Sequence, residues 1–229
     1  MKDKKMQNIP RIFLNQYLEA GKNIPTDKNV VHYLRRVMRT DNCLVFNDGV
    51  EYNAHLSDDN NLIIIGDKTE HVDPGNDLTL CFAPIKRVDD LLNMATQMGV
   101  KCFQPVITAR TVAGHINWER MKKSIIEAAE QSGRNSVPEL LPPIKFAEMD
   151  LTNVIVADER AAHGVDVKDS FGTNAKILIG PEGGFSPDEF AKIDSGGVNK
   201  ISLGKTVLRA EVAAVVAIAK VLNNDSANI

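Results

Sequence analysis

The chain has 229 residues, 43% hydrophobic and 25% charged, with a formal net charge of −3, so it holds one large domain or two small ones of ordinary globular composition. No apolar run approaches the roughly 20 residues needed to cross a bilayer, and the opening MKDKKMQNIPRIF has no apolar core behind its basic residues, so neither a membrane span nor a signal peptide is expected. Three unevenly spaced cysteines without a CxxC pair argue against a disulfide framework and for a reducing cytoplasm, and the five histidines lack metal-ligand spacing, so no metal is expected.

Residues 1–40 carry nine Lys/Arg against three acids, and residues 41–70 one Lys against seven acids. A basic stripe next to an acidic one is compatible with contact to phosphates, but charge alone favours an ordinary mixed surface. Within the stripe, NVVHYLRRVMR sets Val30, Val31, Leu34, Val37 and Met38 at helical spacing, with Arg35, Arg36 and Arg39 opposite. CLVFNDGVEYNAHL then gives two strands joined at Asn47-Asp48-Gly49, a hairpin signal, and NLIIIGD is a further strand. These elements predict a small β-rich, barrel-like module ending near His71-Val72-Asp73-Pro74-Gly75, which reads as a linker.

From residue 78 the pattern changes. LTLCFAPI predicts a buried strand, Arg87 to Met98 a helix with Val88, Leu91, Leu92, Ala95 and Met98 on one face, VKCFQPVI a strand, and WERMKKSIIEAAEQS a helix. Cys81 and Cys102 fall inside the two strands, where a cysteine behaves as a small hydrophobe. NVIVAD, KILIG and VNKISLG predict three more strands, and Leu208 to Leu222 a helix apolar nearly all round, buried against a sheet or a partner. Alternating strands and helices predict an α/β domain with a mainly parallel sheet.

Two stretches of this second part carry the candidate chemistry. In ILIGPEGGFSPDEF a strand runs into a turn with three glycines, Gly180, Gly183 and Gly184. No GK[ST] and no GxGxxG is present, so it is neither a phosphate loop nor the dinucleotide fingerprint. Ser186-Pro187-Asp188-Glu189 reads as a helix start, with Ser186 as N-cap, Pro187 at the first position and Glu189 closing a capping box. A structural turn and a ligand-binding loop fit this pattern equally well. ISLGKTVLRAEVAAVVAIA repeats the strand, glycine, helix order and puts Arg209 and Glu211 at the entry of an apolar helix. A charged pair there needs partners, and Arg209 with Glu182 or Glu211 is the plain structural explanation.

GPEGGF followed by LGKTVLRAEVA resembles the RsmE family of ribosomal RNA methyltransferases, members of the SPOUT superfamily. The likeness extends over the chain: PRIFL (Pro10 to Leu14), HYLRRVMR (His32 to Arg39) and the FNDG hairpin are similar to the family's N-terminal domain. APIKRVDDLLNMATQMGV and EAAEQSGRNSVPEL are similar to its central segments. Two departures stand out. Thr96-Gln97-Met98-Gly99 replaces a usual TELG, and Arg209-Ala210-Glu211-Val212 lacks the two hydroxyls of the usual Arg-Thr-Glu-Thr run.

The resemblance implies an α/β fold in which a C-terminal SPOUT trefoil-knotted parallel-sheet domain (74–229) follows a small N-terminal PUA-like β-barrel RNA-binding domain (1–73). It implies methylation of N3 of a uridine in 16S (small-subunit) rRNA, S-adenosylmethionine (SAM) as cofactor, and a homodimer. On this basis one cofactor loop comprises Leu178, Ile179, Gly180, Pro181, Glu182, Gly183 and Gly184. The other comprises Ile201, Ser202, Leu203, Gly204 and Leu208, with Glu211 nearby. Arg209 would orient the base and stabilise its anion, since an arginine is a poor general base, and Arg11 would support it or hold RNA. Arg35, Arg36, Arg39, Lys86, Arg87 and Arg134 are candidate phosphate contacts. A knotted methyltransferase for another RNA position, and a non-catalytic RNA-binding ribosome-assembly factor, are the competing expectations.

Overall fold

The structure is a computed structural model and describes residues 9–73, 76–112, 117–158, 160 and 174–226. Lys2, Lys4 and Lys5 of the basic stripe, and Pro74 and Gly75 of the expected linker, lie outside the described residues. The chain divides into two compact units, one from Met1–Pro74 with Ala129–Val137, the other from Gly75–Ala128 with Pro138–Ile229.

In the first unit a five-stranded sheet runs in the order β1 (Arg11–Phe13), β3 (Asn42–Asn47), β4 (Val50–Leu56), β5 (Leu62–Lys68), β2 (Asn23–Pro25). The β1–β3 pair is parallel and the rest antiparallel. The expected hairpin joins β3 to β4, with Asp48 (φ 47°) and Gly49 (φ 76°) both left-handed, as a type I′ turn requires. Alternating residues fill the core: Cys43 and Val45 of β3, Ala54 and Leu56 of β4, and Ile63 and Ile65 of β5, together with Leu34.

The helix expected over NVVHYLRRVMR is split. Asp27 caps an α-helix, α1 (Lys28–His32), accepting from the Asn29 and Val30 N–H groups at 2.7 and 2.9 Å, and Tyr33–Met38 continue as a π-helix. The wider π winding changes which side chains face inward: Leu34 is buried, Val30 and Val31 pack partly against the core, and Val37 is 59% exposed. The expected linker is also anchored. The Asp73 carboxylate accepts from the Asn135 and Ser136 N–H groups at 2.7 and 2.9 Å and from the Ser136 hydroxyl at 2.6 Å.

The second unit is built on a parallel sheet in the order β12 (Asn199–Ile201), β10 (Val154–Ala157), β11 (Lys176–Ile179), β6 (Thr79–Phe82), β7 (Cys102–Ile107), β8 (Glu139–Leu140). A short β9 (Ile144–Lys145) pairs with the far end of β7. Ile177, Leu178 and Ile179 are all buried, because a parallel sheet covered on both faces has no solvated side. Leu178 packs with Phe185, Phe190 and Ile193. On the other side α5 (Ala210–Ser226) packs on β11 and on α2 (Val88–Gln97). The expected helix WERMKKSIIEAAEQS is α3 (Trp118–Ser132), and Ser186 opens α4 (Pro187–Ser195) with the complete capping box expected from its sequence. The Cys43 and Cys81 thiols are pushed up to about 12 by burial, so both act as core hydrophobes. Among the described residues no helix is long and apolar enough to cross a membrane.

Candidate methyl-transfer site

At the carboxyl ends of three adjacent parallel strands, β12, β10 and β11, the two glycine loops enclose a cavity of about 330 Å3. Carboxyl strand ends are where open parallel sheets leave room for ligands. The wall after β10 is Ala157 and Asp158, and the wall after β11 is Ile179, Gly180, Pro181, Glu182, Gly184 and Phe185. The third wall runs from Leu203 through Gly204, Lys205, Thr206, Val207 and Leu208 to Arg209, with Ala210 and Ala213 of α5 and Phe190 of α4 completing it.

The glycine turn has a physical reason for each glycine that meets the cavity. Gly184 sits at φ 68° and donates its N–H to the Pro181 carbonyl at 2.9 Å, a conformation that penalises a Cβ. A Cβ on Gly180 would stand 3.0 Å from Cε2 and 3.2 Å from Cζ of Phe185. That ring packs at 5.7 Å between centroids against both Phe146 (tilted) and Phe190 (edge-on), so it has little room to yield.

The turn is held from outside the cavity. Glu182 Oε1 accepts from the Lys86 N–H at 3.1 Å, the loop-holding arrangement. Arg110 donates to the Gly183 carbonyl at 2.6 Å. Glu189 accepts from the Ser186 N–H at 2.7 Å within its capping box and from the Ala109 N–H at 2.7 Å, tying the start of α4 to the end of β7.

Of the residues expected at the cofactor site, Ile179, Gly180, Pro181, Glu182, Gly184, Leu203, Gly204 and Leu208 line the cavity. Leu178 points instead into the core between sheet and α4, as its place in the strand alternation requires. Gly183 faces Arg110. The Ile201 carbonyl accepts from the Asp158 N–H at 3.3 Å, and the Ser202 carbonyl accepts from Lys220 Nζ at 2.8 Å. Both therefore brace the loop rather than line the cavity. Glu211 is buried on α5 and pairs with Arg87 at 4.0 Å. Arg209 lines the cavity, is exposed, and makes no side-chain hydrogen bond or ion pair among the described residues. The expected pairing of Arg209 with Glu182 or Glu211 is thus not formed, because each carboxylate has another partner. Ala210, one of the two departures noted in the sequence, lines the cavity.

Arg11 is tied up within the first unit. Its guanidinium, 12% exposed, pairs with Glu51, donates to the Arg134 carbonyl at 2.7 Å and to Asn135 Oδ1 at 2.8 Å, and covers the Phe46 ring at 4.8 Å. In this arrangement it has no free fork to offer a phosphate. Arg35 pairs with Asp41 and donates to Asn60 Oδ1 at 2.9 Å, and half-buried Arg134 reaches Ser136 Oγ at 3.3 Å. Arg36, Arg39 and Lys86 are exposed, and their side chains make no hydrogen bond or ion pair among the described residues. Arg39 is left-handed, at φ 54°.

Asp158, Phe185 and Phe190 line the cavity, and Arg110 braces it, without having been singled out from sequence. The available signal was positional: Asp158 and Arg110 each follow closely on a strand of the parallel sheet.

Residues 73–222 match the RNA methyltransferase domain family. Ribosomal RNA small subunit methyltransferase E of Rickettsia conorii is 34% identical, over 92% of this chain and 94% of its own length. Its counterpart in Aquifex aeolicus is 27% identical, over 93% and 99%. The crystal structure of the Neisseria gonorrhoeae enzyme bound to S-adenosyl methionine superposes with a TM-score of 0.78 at 28% identity, covering 92% of this chain and 95% of that one. The chain belongs to the ribosomal RNA small subunit methyltransferase E family, RsmE.

Proposed function

We propose that this protein transfers a methyl group from SAM to N3 of a uridine in 16S rRNA, in the cavity where the two glycine loops meet. The observation that carries this reading is Arg209: an arginine with no side-chain partner among the described residues, at the wall of a mainly apolar, backbone-lined cavity. The cavity is within the usual size of a cofactor pocket, roughly 300–1,000 Å3. It offers rings and aliphatic groups for an adenine, backbone groups of the Gly180–Gly184 turn for its edge, and no phosphate cradle, which SAM does not need. Ile179, Pro181, Leu203 and Leu208 would enclose the cofactor, and when bound it supplies an electrophilic methyl group.

The remaining chemistry belongs to the chain. Arginine has five N–H donors and no acceptor, so Arg209 does not remove the N3 proton, which passes to solvent. It holds the uracil oxygens while negative charge grows on them, a role suited to a preorganised donor. Glu182 fixes the turn through the Lys86 N–H.

The domain reading is a PUA-like RNA-binding module over 1–73 and a SPOUT methyltransferase domain with a trefoil knot over 74–229. In support, each unit has its own sheet, five-stranded and mostly antiparallel in the first and parallel in the second. Arg36, Arg39 and Lys86 are the phosphate contacts best supported by exposure. Val207, 87% exposed, and Val212 on the outer face of α5 supply apolar surface for a second copy in a homodimer. The described cysteines are unpaired, as in a cytoplasmic protein.

Incubating the protein with labelled SAM and unmodified small ribosomal subunits tests the reading, with the product mapped by mass spectrometry. Label at N3 of a single 16S uridine is expected; label on another atom or another RNA, or no label, would refute it. Gly180→Ala is expected to weaken SAM binding about tenfold, because the Phe185 ring cannot yield to the added Cβ, the turn must shift instead, and overpacking costs about 1–3 kcal/mol. Calorimetry showing unchanged SAM affinity in that variant would mean the turn is not part of the site.

A further inference from the structure

The wall after β10 contains a charge arrangement that methyl transfer as described does not use. Asp158 belongs to the cavity wall, but its side chain is 0% exposed and lies behind that wall. Its Oδ1 accepts from the Arg160 backbone N–H at 2.9 Å and from Nε at 3.0 Å, and its Oδ2 accepts from Nη2 at 2.7 Å. The same guanidinium reaches α4, donating from Nη1 and Nη2 to the two oxygens of Asp194 at 3.1 and 2.9 Å. It also lies flat enough over Phe190 to bring Cζ within 3.8 Å of the ring centroid. Lys200 Nζ donates to Asp194 Oδ1 at 2.6 Å, so two carboxylates meet two cations. Arg160, followed by Lys200, holds the Asp194 carboxyl down at about 2.

One arginine therefore ties together two parts of the cavity wall, the carboxylate after β10 and the aromatic ring on α4. A buried carboxylate without a partner would be costly, so without Arg160 the segment after β10 would have to rearrange to reach water or another donor. A lysine cannot replace this arrangement, because a point charge neither forks across two carboxylates nor stacks on a ring. We infer that Arg160 is a positioning residue of the SAM site, which satisfies the buried Asp158 carboxylate and pins Phe190 so that the wall has the shape that SAM fits. The inference rests on the proposed reading of the cavity as the SAM site.

The test uses the full chain, with SAM titrated by calorimetry and methyl transfer measured while SAM and small-subunit concentrations are varied separately. Arg160→Gln is expected to raise the Kd and KM for SAM about tenfold, with the loss in KM for SAM and not in kcat or in the KM for subunits. Arg160→Lys, which keeps a cation, is expected to rescue little of it. The double variant Asp158→Asn/Arg160→Gln removes the stranded charge and is expected to bind SAM at least about threefold better than Arg160→Gln alone, a non-additivity that mere loss of packing would not produce. Three outcomes overturn the inference: SAM affinity within twofold of the parent in both single variants, a loss confined to kcat, or a double variant no better than Arg160→Gln. If Arg160→Gln does not fold, the lysine and double variants carry the comparison, and equal affinity to the parent in both overturns it. A parent chain that takes up no SAM overturns the cofactor reading and this inference together. A parent that binds SAM while the variants bind equally well overturns the inference alone.

Discussion

Arg209→Ala is expected to cut methyl transfer to small subunits by at least about a hundredfold, the usual effect of removing one preorganised donor to a developing anion. SAM affinity and thermal stability should stay close to those of the parent. The side chain is exposed and touches no other charge among the described residues, and a surface change of that kind moves stability by about 0.5 kcal/mol or less. Arg209→Lys should recover only part of the rate, since a lysine offers a mobile point charge where an arginine offers a planar set of fixed donors to a uracil oxygen. Single-turnover transfer at saturating SAM is the measurement. A normal rate in the alanine variant would remove Arg209 from the mechanism, and a lost rate accompanied by lost SAM binding would move it to the cofactor wall.

Glu51→Ala should have the largest effect on stability, because it leaves the buried Arg11 guanidinium without its carboxylate. The pair sits at 12% and 4% side-chain exposure, and Glu51 Oε1 also accepts from the Thr69 hydroxyl at 2.8 Å. Burial already pulls the Arg11 guanidinium down from its ordinary pKa, with Asp73 and Glu130 opposing that shift. Breaking a buried pair from one side costs about 3 kcal/mol, whereas replacing both members by apolar residues of similar volume costs far less. Glu51→Ala should therefore lower the urea midpoint markedly, and Arg11→Met/Glu51→Leu should restore most of it. An unchanged midpoint in Glu51→Ala would show that the Arg134 carbonyl and Asn135 are sufficient for Arg11.

Arg11 marks one limit of reading this chain as a string. As a basic residue in a basic stripe, it carries the local signature of a phosphate contact. Its guanidinium is instead paired by Glu51, 40 positions away, and by Asn135, 124 positions away. The same holds at the cavity. Glu182 looks like a lone carboxylate in a turn, and its partner is a backbone N–H 96 positions earlier. Arg110 and Arg160 carry no local motif at all, yet one braces the glycine turn and the other locks a cavity wall.

What the sequence determined by itself was what short-range physics encodes. The capping box at Ser186 needs only four consecutive residues; the Asn47-Asp48-Gly49 hairpin needs two left-handed positions; the strands and helices of the second unit follow from periodicity within a dozen residues. The family motifs likewise lie in two unbroken runs, so the two loops that meet at the cavity were legible, although not every residue named in them lines it. The tertiary structure alone decided which of those side chains face the cavity, that α1 gives way to a π-helix, and which charges are already paired. These depend on strand order and on partners tens of residues distant, and local periodicity holds no record of either.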